Sequence, residues 1–215
     1  MKTTFYIIRH GQSYANVSKR KSKAQKDVMK WGSRLSAEGV KQAQKIAELL
    51  KDEPFDAIYS SALTRAKQTA KIIAKKHTLP VSERKELHEH FYGTTYFSLP
   101  KTERMTLRAA VREFEDDISK LNHRFSGDGE SAMESATRIK NVILELAKKH
   151  QGQTVAIVTH GVIMRKFLVL IEWGRNNELP HGSVENTGFF VLKVDGDSMN
   201  IKHTSGVSKK TPLHN

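Results

Sequence analysis

The chain has 215 residues, 38% of them hydrophobic and 27% charged, which suits one folded domain, or one domain with an elaborated cap. It contains no cysteine, which excludes disulfides, thiolate metal sites and cysteine nucleophiles. A formal charge of +13 is explained first by a solvated lysine-rich surface and second by attraction of anions, and no zinc-finger spacing or RNP-like aromatic string turns it into a nucleic-acid site.

The first apolar run, "TFYIIRH" (4–10), reads as a strand that is hydrophobic on both faces, as a central strand would be. It is too short for a signal-peptide core or a membrane span, so a cytoplasmic location without membrane contact is expected. Residues 17–34 are basic and without clear period, and read as a loose segment. In 35–52 Ser36 is a candidate N-cap, and Val40, Ala43, Ala47 and Leu50 recur at helical spacing. "FDAIYSS" (55–61) reads as a strand. A helix follows, with Ala62, Ala66, Thr69 and Ile73 on one face.

Segment 94–130 holds no strong strand. Leu107, Val111, Phe114, Ile118 and Leu121 repeat at helical spacing there, which predicts one amphipathic helix, buried along its stripe, in an insertion over one end of a sheet. Regular patterns then resume. A helix spans 131–150 with Ala136, Ile139, Ile143 and Leu146 inward, and "TVAIVTH" (154–160) is a strand. The stretch 162–171 is a helix apolar nearly all round, and "GFFVLKV" (188–194) is a strand. Residues 205–215 read as a polar, disordered tail. Alternating strands and helices argue a three-layer α/β/α sandwich with a mainly parallel central sheet, a helical cap at about 94–130, and one domain over 1–204.

Two strands end alike, on Arg9-His10-Gly11 and on Thr159-His160-Gly161. Ligands of open α/β sheets sit beyond the carboxyl ends of the strands, so both histidines face one crevice if the strands are neighbours. Arg65 falls in the first turn of the helix after 55–61, where a cation opposes the helix dipole and a bound anion would relieve the conflict. Two arginines, two imidazoles and helix N-terminal amides suit a phosphoryl group, and an imidazole with a free nitrogen can attack phosphorus.

Six elements in order carry a resemblance: "RHGQSYAN" (9–16), "LSAEGVKQA" (35–43), "IYSSALTRAKQTA" (58–70), "LHEHFYG" (87–93), "GES" (129–131) and "VTHG" (158–161). Together they resemble the histidine phosphatase superfamily, in its phosphoglycerate mutase-like branch. The resemblance implies a metal-independent phosphomonoesterase, without cofactor, acting on a small phosphorylated metabolite. His10 is the implied nucleophile; Arg9, Arg65 and His160 clamp the phosphoryl oxygens; Glu89 is the general acid and then the base. Gln12, Ser13, Asn16 and the N–H of Gly161 are implied substrate contacts, with His181, Asn186 and Thr187 as further candidates. "HEH" (88–90) offers zinc too few ligands. The remaining histidines, including His77, His123, His150 and His203, are expected at the surface.

Two alternatives share these residues or this charge. One is cofactor-dependent mutase-type phosphotransfer; the segment after Gly93 shows no counterpart of the longer Arg-, Lys- and Pro-rich insertion of such mutases, so hydrolysis is preferred. The other is a non-catalytic anion- or nucleic-acid-binding module, which would have no use for Glu89. The lysines and arginine at 19, 20, 21, 23 and 26 suggest a leaving group with extra negative charge.

Overall fold

A computed structural model of the chain describes residues 1–17, 32–112, 114 and 117–210. In chain order its elements are β1 (Thr3–Arg9), α1 (Tyr14–Val17), α2 (Ala37–Leu49), β2 (Ala57–Ser61), α3 (Thr64–His77) and β3 (Val81–Arg84). A 3-10 turn (Lys85–Leu87) follows, then α4 (Thr94–Ser98), α5 (Lys101–Arg112), α6 (Asp117–Asn122) and α7 (Ala132–Lys149). The last are β4 (Thr154–Thr159), α8 (Gly161–Leu170), β5 (Val184–Asp195) and β6 (Ser198–Val207).

The sheet has the order β3-β2-β4-β1-β5-β6. β1 and β4 are central and parallel, and Arg9 pairs with Thr159. The only antiparallel pairings among the described strands are those of β5, with β1 and with β6. Side chains alternate across the sheet, so Phe5, Ile7, Val155 and Ile157 face α7 and α8, while Ile8, Ala156 and Val158 face α2 and α3. Helices on both faces leave no polar side for these strands, which is why β1 and β4 are hydrophobic at successive positions. Among the described residues, no helix is long and apolar enough to cross a membrane.

Helix starts follow the sequence. Ser36 Oγ accepts the Gly39 N–H at 3.0 Å. Ser131 and Glu134 form a reciprocal capping box ahead of α7. Gly39 has a second reason to be glycine. A Cβ there would lie 1.8 Å from the carbonyl oxygen of Gln12, and one on Gly11 would lie 2.5 Å from that of Gly39. The loop after β1 therefore rests backbone-to-backbone on the first turn of α2.

Several expectations are corrected. The stripe from Leu107 to Leu121 is not one helix: α5 stops at Arg112, Phe114 is non-helical, and α6 begins at Asp117. Helical periodicity is blind to a short break, and an acidic stretch suits a new helix start better than a helix interior. The stripe is not buried throughout, because Leu107 and Ile118 are exposed while Leu121 is buried. Val40, at the margin of its helix face, is also exposed. Edge strand β3 and strand β6, half polar in sequence, carry too few apolar residues to announce themselves.

Of the expected loose tail, Ser205–Val207 complete β6, and the N–H groups of Ser208 and Lys210 donate to the carbonyls of Ser183 and Glu178; 211–215 lie outside the described residues. Of the basic segment, 18–31 lie outside the described residues, while Ser33 Oγ accepts the Ala15 N–H.

The cap (94–122) leaves and returns at one place. Glu130 N–H donates to the Phe91 carbonyl at 2.7 Å, and Thr94 N–H donates to Asp128 at 2.9 Å.

Gly39→Ala is expected to lower the melting temperature by more than Ser36→Ala, which removes a helix cap worth about 1 kcal/mol. Paired thermal melts check this; equal melts would show that the Gln12 backbone can move aside.

Candidate active site

β1 and β4 end in register, and the next residue of each is a histidine. His10 N–H donates to the Thr159 carbonyl at 3.0 Å, and the rings of His10 and His160 stand 5.0 Å apart at 65°. Both side chains are buried. The third strand end, β2, contributes Ser61, and the first turn of α3 contributes Arg65.

The hydrogen bonds fix the form of His10. Arg65 Nε donates to His10 Nε2 at 3.0 Å, and a guanidinium has no acceptor, so Nε2 carries the lone pair. The ring proton then sits on Nδ1, 2.6 Å from the Gly11 carbonyl. Burial, and then the charges of Arg65 and Arg9, hold this imidazole well below its usual pKa, so it is neutral at physiological pH. His160 is held down in the same way, by burial first and Arg65 second. Its Nε2 contacts Ser61 Oγ at 2.8 Å, while its Nδ1 is buried without a partner.

Arg9 is anchored by Nη1 to the Val184 carbonyl at 2.6 Å, and its Nε is buried without a partner. Gly161 makes room for it: a Cβ there would lie 3.0 Å from Arg9 Nε. Burial lowers the pKa of both arginines; Glu89 opposes that shift at each, while Arg165 adds to it at Arg9 and Arg9 adds to it at Arg65. Two arginines and two imidazoles are thus packed together at one end of the sheet, with Arg9 Nε and His160 Nδ1 unpartnered. An oxyanion supplies what this arrangement lacks.

Glu89 approaches from the loop after the 3-10 turn. One carboxylate oxygen accepts the N–H groups of His90 and Ile163, both at 3.0 Å; the other accepts that of Val162 at 3.2 Å. The acid thus occupies the N-terminal turn of α8, next to Gly161. Its loop is braced from behind. Arg138 donates to the carbonyls of Glu86 and His88 and pairs with Glu130 at 2.9 Å, and Thr159 Oγ1 donates to the Leu87 carbonyl at 2.8 Å. His90 is buried against Ser135 Oγ at 2.9 Å.

The structure therefore brings together Arg9, His10, Arg65, Glu89, His160 and Gly161. The other expected substrate contacts also bond within the loop after β1 and to the start of α2. Ser13 is fully buried and its hydroxyl donates to Asn16 Oδ1. Gln12 Oε1 accepts from Ser36, and Asn16 is exposed. Asn186 Nδ2 and the Thr187 N–H both donate to the His10 carbonyl, so this pair holds the His10 backbone. Thr187 does so at a φ of +60°. Two expected surface histidines are also corrected: His150 is buried between Tyr59 and Gln153, and His77 packs half-buried on Phe55.

Sequence reasoning missed Ser61 and Thr69 as parts of the site. Thr69 Oγ1 accepts the Gly11 N–H at 3.1 Å and donates to the Arg65 carbonyl, tying the loop after β1 to α3. Arg165, next to Lys166 on the mainly apolar α8, is half-buried, and its Nη1 donates to the Leu179 carbonyl at 3.2 Å.

Residues 5–205 match the family model described as histidine phosphatase superfamily (branch 1). The chain is 30% identical over 205 residues to phosphoglycerate mutase-like protein 4 of Arabidopsis thaliana, covering 94% of this chain and 84% of that one. It is 33% identical over 175 residues to a metal-independent phosphoserine phosphatase of the same plant, covering 79% and 68%. The fold matches that of YhfR from Bacillus stearothermophilus with a TM-score of 0.75 at 23% identity, over 96% of this chain and 98% of that one.

The buried imidazoles set a pH dependence. His10 and His160 protonate less readily in the folded chain than in the unfolded one, and His90 is pushed down to about 3. As pH falls below the unfolded value of about 6.5, the unfolded chain takes up protons that the native state refuses, and stability falls by roughly 1 kcal/mol per pH unit for each ring. Melting curves from pH 7 to 5, without phosphate, should show this decline, and His10→Gln should make it shallower.

Proposed function

The chain belongs to the histidine phosphatase superfamily, and on that footing we propose that it hydrolyses phosphate monoesters through a phosphohistidine on His10. The observation that carries the reading is the neutral His10 ring, its proton on Nδ1 and its lone pair on Nε2, held against Arg65. A nucleophilic imidazole needs that form and no other.

Arg9 and Arg65 take up the phosphoryl oxygens, together with the unpartnered Nδ1 of His160. When the Arg65 guanidinium turns to the phosphate, Nε2 is released to attack. The P–N bond forms as the ester P–O bond breaks, and Glu89 gives its proton to the departing oxygen. The Glu89 carboxylate then takes a proton from water, which attacks phosphorus and frees inorganic phosphate and His10. The oxygen that accepts only the Val162 N–H has a lone pair left to carry the proton. Positive charge comes from the arginines, and the similarity to a metal-independent phosphatase supports a reaction without metal. The expected setting is the cytoplasm and the expected substrate a small phosphorylated metabolite.

p-Nitrophenyl phosphate hydrolysis should persist in EDTA and fall by at least about a thousandfold in His10→Ala. Loss of wild-type activity in EDTA, or survival in His10→Ala, would overturn the reading. Glu89→Gln should cost alkyl phosphates more than p-nitrophenyl phosphate, whose leaving group needs little proton transfer. Equal losses would remove Glu89 from the acid role.

A further inference from the structure

His160 can help to hold a phosphoryl group in only one of its two neutral forms. Its Nδ1 is buried without a partner. That nitrogen bonds an oxyanion if it carries the ring proton, and repels one if it carries the lone pair. Burial first, and then the charge of Arg65, disfavour a second proton on this ring. The position of the single proton therefore decides whether His160 attracts substrate.

Ser61, the last residue of β2, meets the other ring nitrogen. Its Oγ lies 2.8 Å from His160 Nε2, and it is fully buried. The same Oγ accepts the Leu63 N–H at 3.3 Å. Neighbouring Ser60 Oγ donates to the Ser61 carbonyl, not to this hydroxyl. With the Leu63 amide hydrogen already at the oxygen, the hydroxyl's own hydrogen has Nε2 as its acceptor. In the reverse arrangement Nε2–H would donate to Oγ. The Ser61 hydroxyl hydrogen would then be buried with no acceptor among the described residues, and a lone pair on Nδ1 would face the phosphoryl pocket. Both faults cost free energy, and the first arrangement has neither.

We propose that Ser61 is a positioning residue that fixes the tautomer of His160: its hydroxyl donates to Nε2, the ring proton stays on Nδ1, and Nδ1–H becomes a donor to the phosphoryl oxygens. The role in substrate binding rests on the phosphatase reading above; the tautomer itself does not. The turn from β2 into α3 then governs both imidazoles, because Arg65, in the first turn of α3, donates to Nε2 of His10. The two rings hold the same tautomer and present opposite ends. His10 directs Nδ1–H to the Gly11 carbonyl and keeps Nε2 for attack. His160 directs Nε2 to Ser61 and keeps Nδ1–H for the substrate.

Nitrogen NMR of histidine-labelled protein reads the tautomer directly and without turnover, the His160 signals being assigned by their loss in His160→Asn. Wild type should show a protonated Nδ1 and a bare Nε2, and in Ser61→Ala the proton should move toward Nε2. A proton on Nε2 in wild type would overturn the proposal, as would a spectrum that Ser61→Ala leaves unmoved. Calorimetric titration with inorganic phosphate supplies the second readout. Ser61→Ala should weaken binding by about 10- to 100-fold, the loss of one charge-assisted hydrogen bond. His160→Asn places an amide NH2 near the Nδ1 position whether or not Ser61 is present, so Ser61→Ala in that background should cost little. An equal cost in both backgrounds would show that Ser61 acts through packing alone, and the proposal would fall. If p-nitrophenyl phosphate is not hydrolysed, the phosphatase reading fails separately, and the NMR spectra still decide the tautomer.

Discussion

The parallel pairing of β1 with β4 is the constraint on which the site depends. With Arg9 level with Thr159, the residues one step further are level too, and both are histidines. A slip of one residue would turn one imidazole to the opposite face of the sheet. The hydrophobic pattern forbids that slip, because Phe5, Ile7, Val155 and Ile157 would trade places with Ile8, Ala156 and Val158 against helices of different shape. The packing of the core thus fixes the distance between the two buried imidazoles.

The same floor concentrates positive charge where burial penalises it. Arg9, Arg65 and Arg165 are all lowered by desolvation, and two imidazoles are held neutral beside them. The fold carries this strain through neutral anchors: the carbonyls of Val184, Gly11 and Leu179, and the hydroxyls of Ser61 and Thr69. The Val184 and Leu179 carbonyls orient Arg9 and Arg165 without cancelling their charge, and Ser61 and the Gly11 carbonyl orient the two rings. An anion that enters finds donors already aimed, and little reorganisation remains.

Much of this was legible in the sequence. The apolar runs located the central strands, the Ser36 cap located the start of α2, and the repeated ending on His-Gly located the site. What remained hidden falls into two kinds. Edge strand β3 and strand β6 gain their place from backbone pairing with a neighbour, which leaves little mark on side-chain hydrophobicity. The polar residues of the loop after β1 look alike in sequence whether they meet substrate or one another. Only coordinates show Ser13 bonded to Asn16, and Asn186 bonded to the His10 backbone. The break between α5 and α6 escaped because its flanks keep the same helical phase.

The closed base of the cap has a consequence for how this protein can vary. The chain enters the cap after Phe91 and leaves before Glu130, and those two residues are joined by a backbone hydrogen bond, with Arg138 gripping the same loop from α7. Glu89 lies on the catalytic side of that clasp. Residues can therefore be added to or removed from the cap without the change reaching the acid, and doubling a flexible loop costs only about 0.6 kcal/mol of closure entropy. The clasp separates inheritance into two parts: a floor that must be kept whole, and a lid free to diverge in length and chemistry as new leaving groups are recruited.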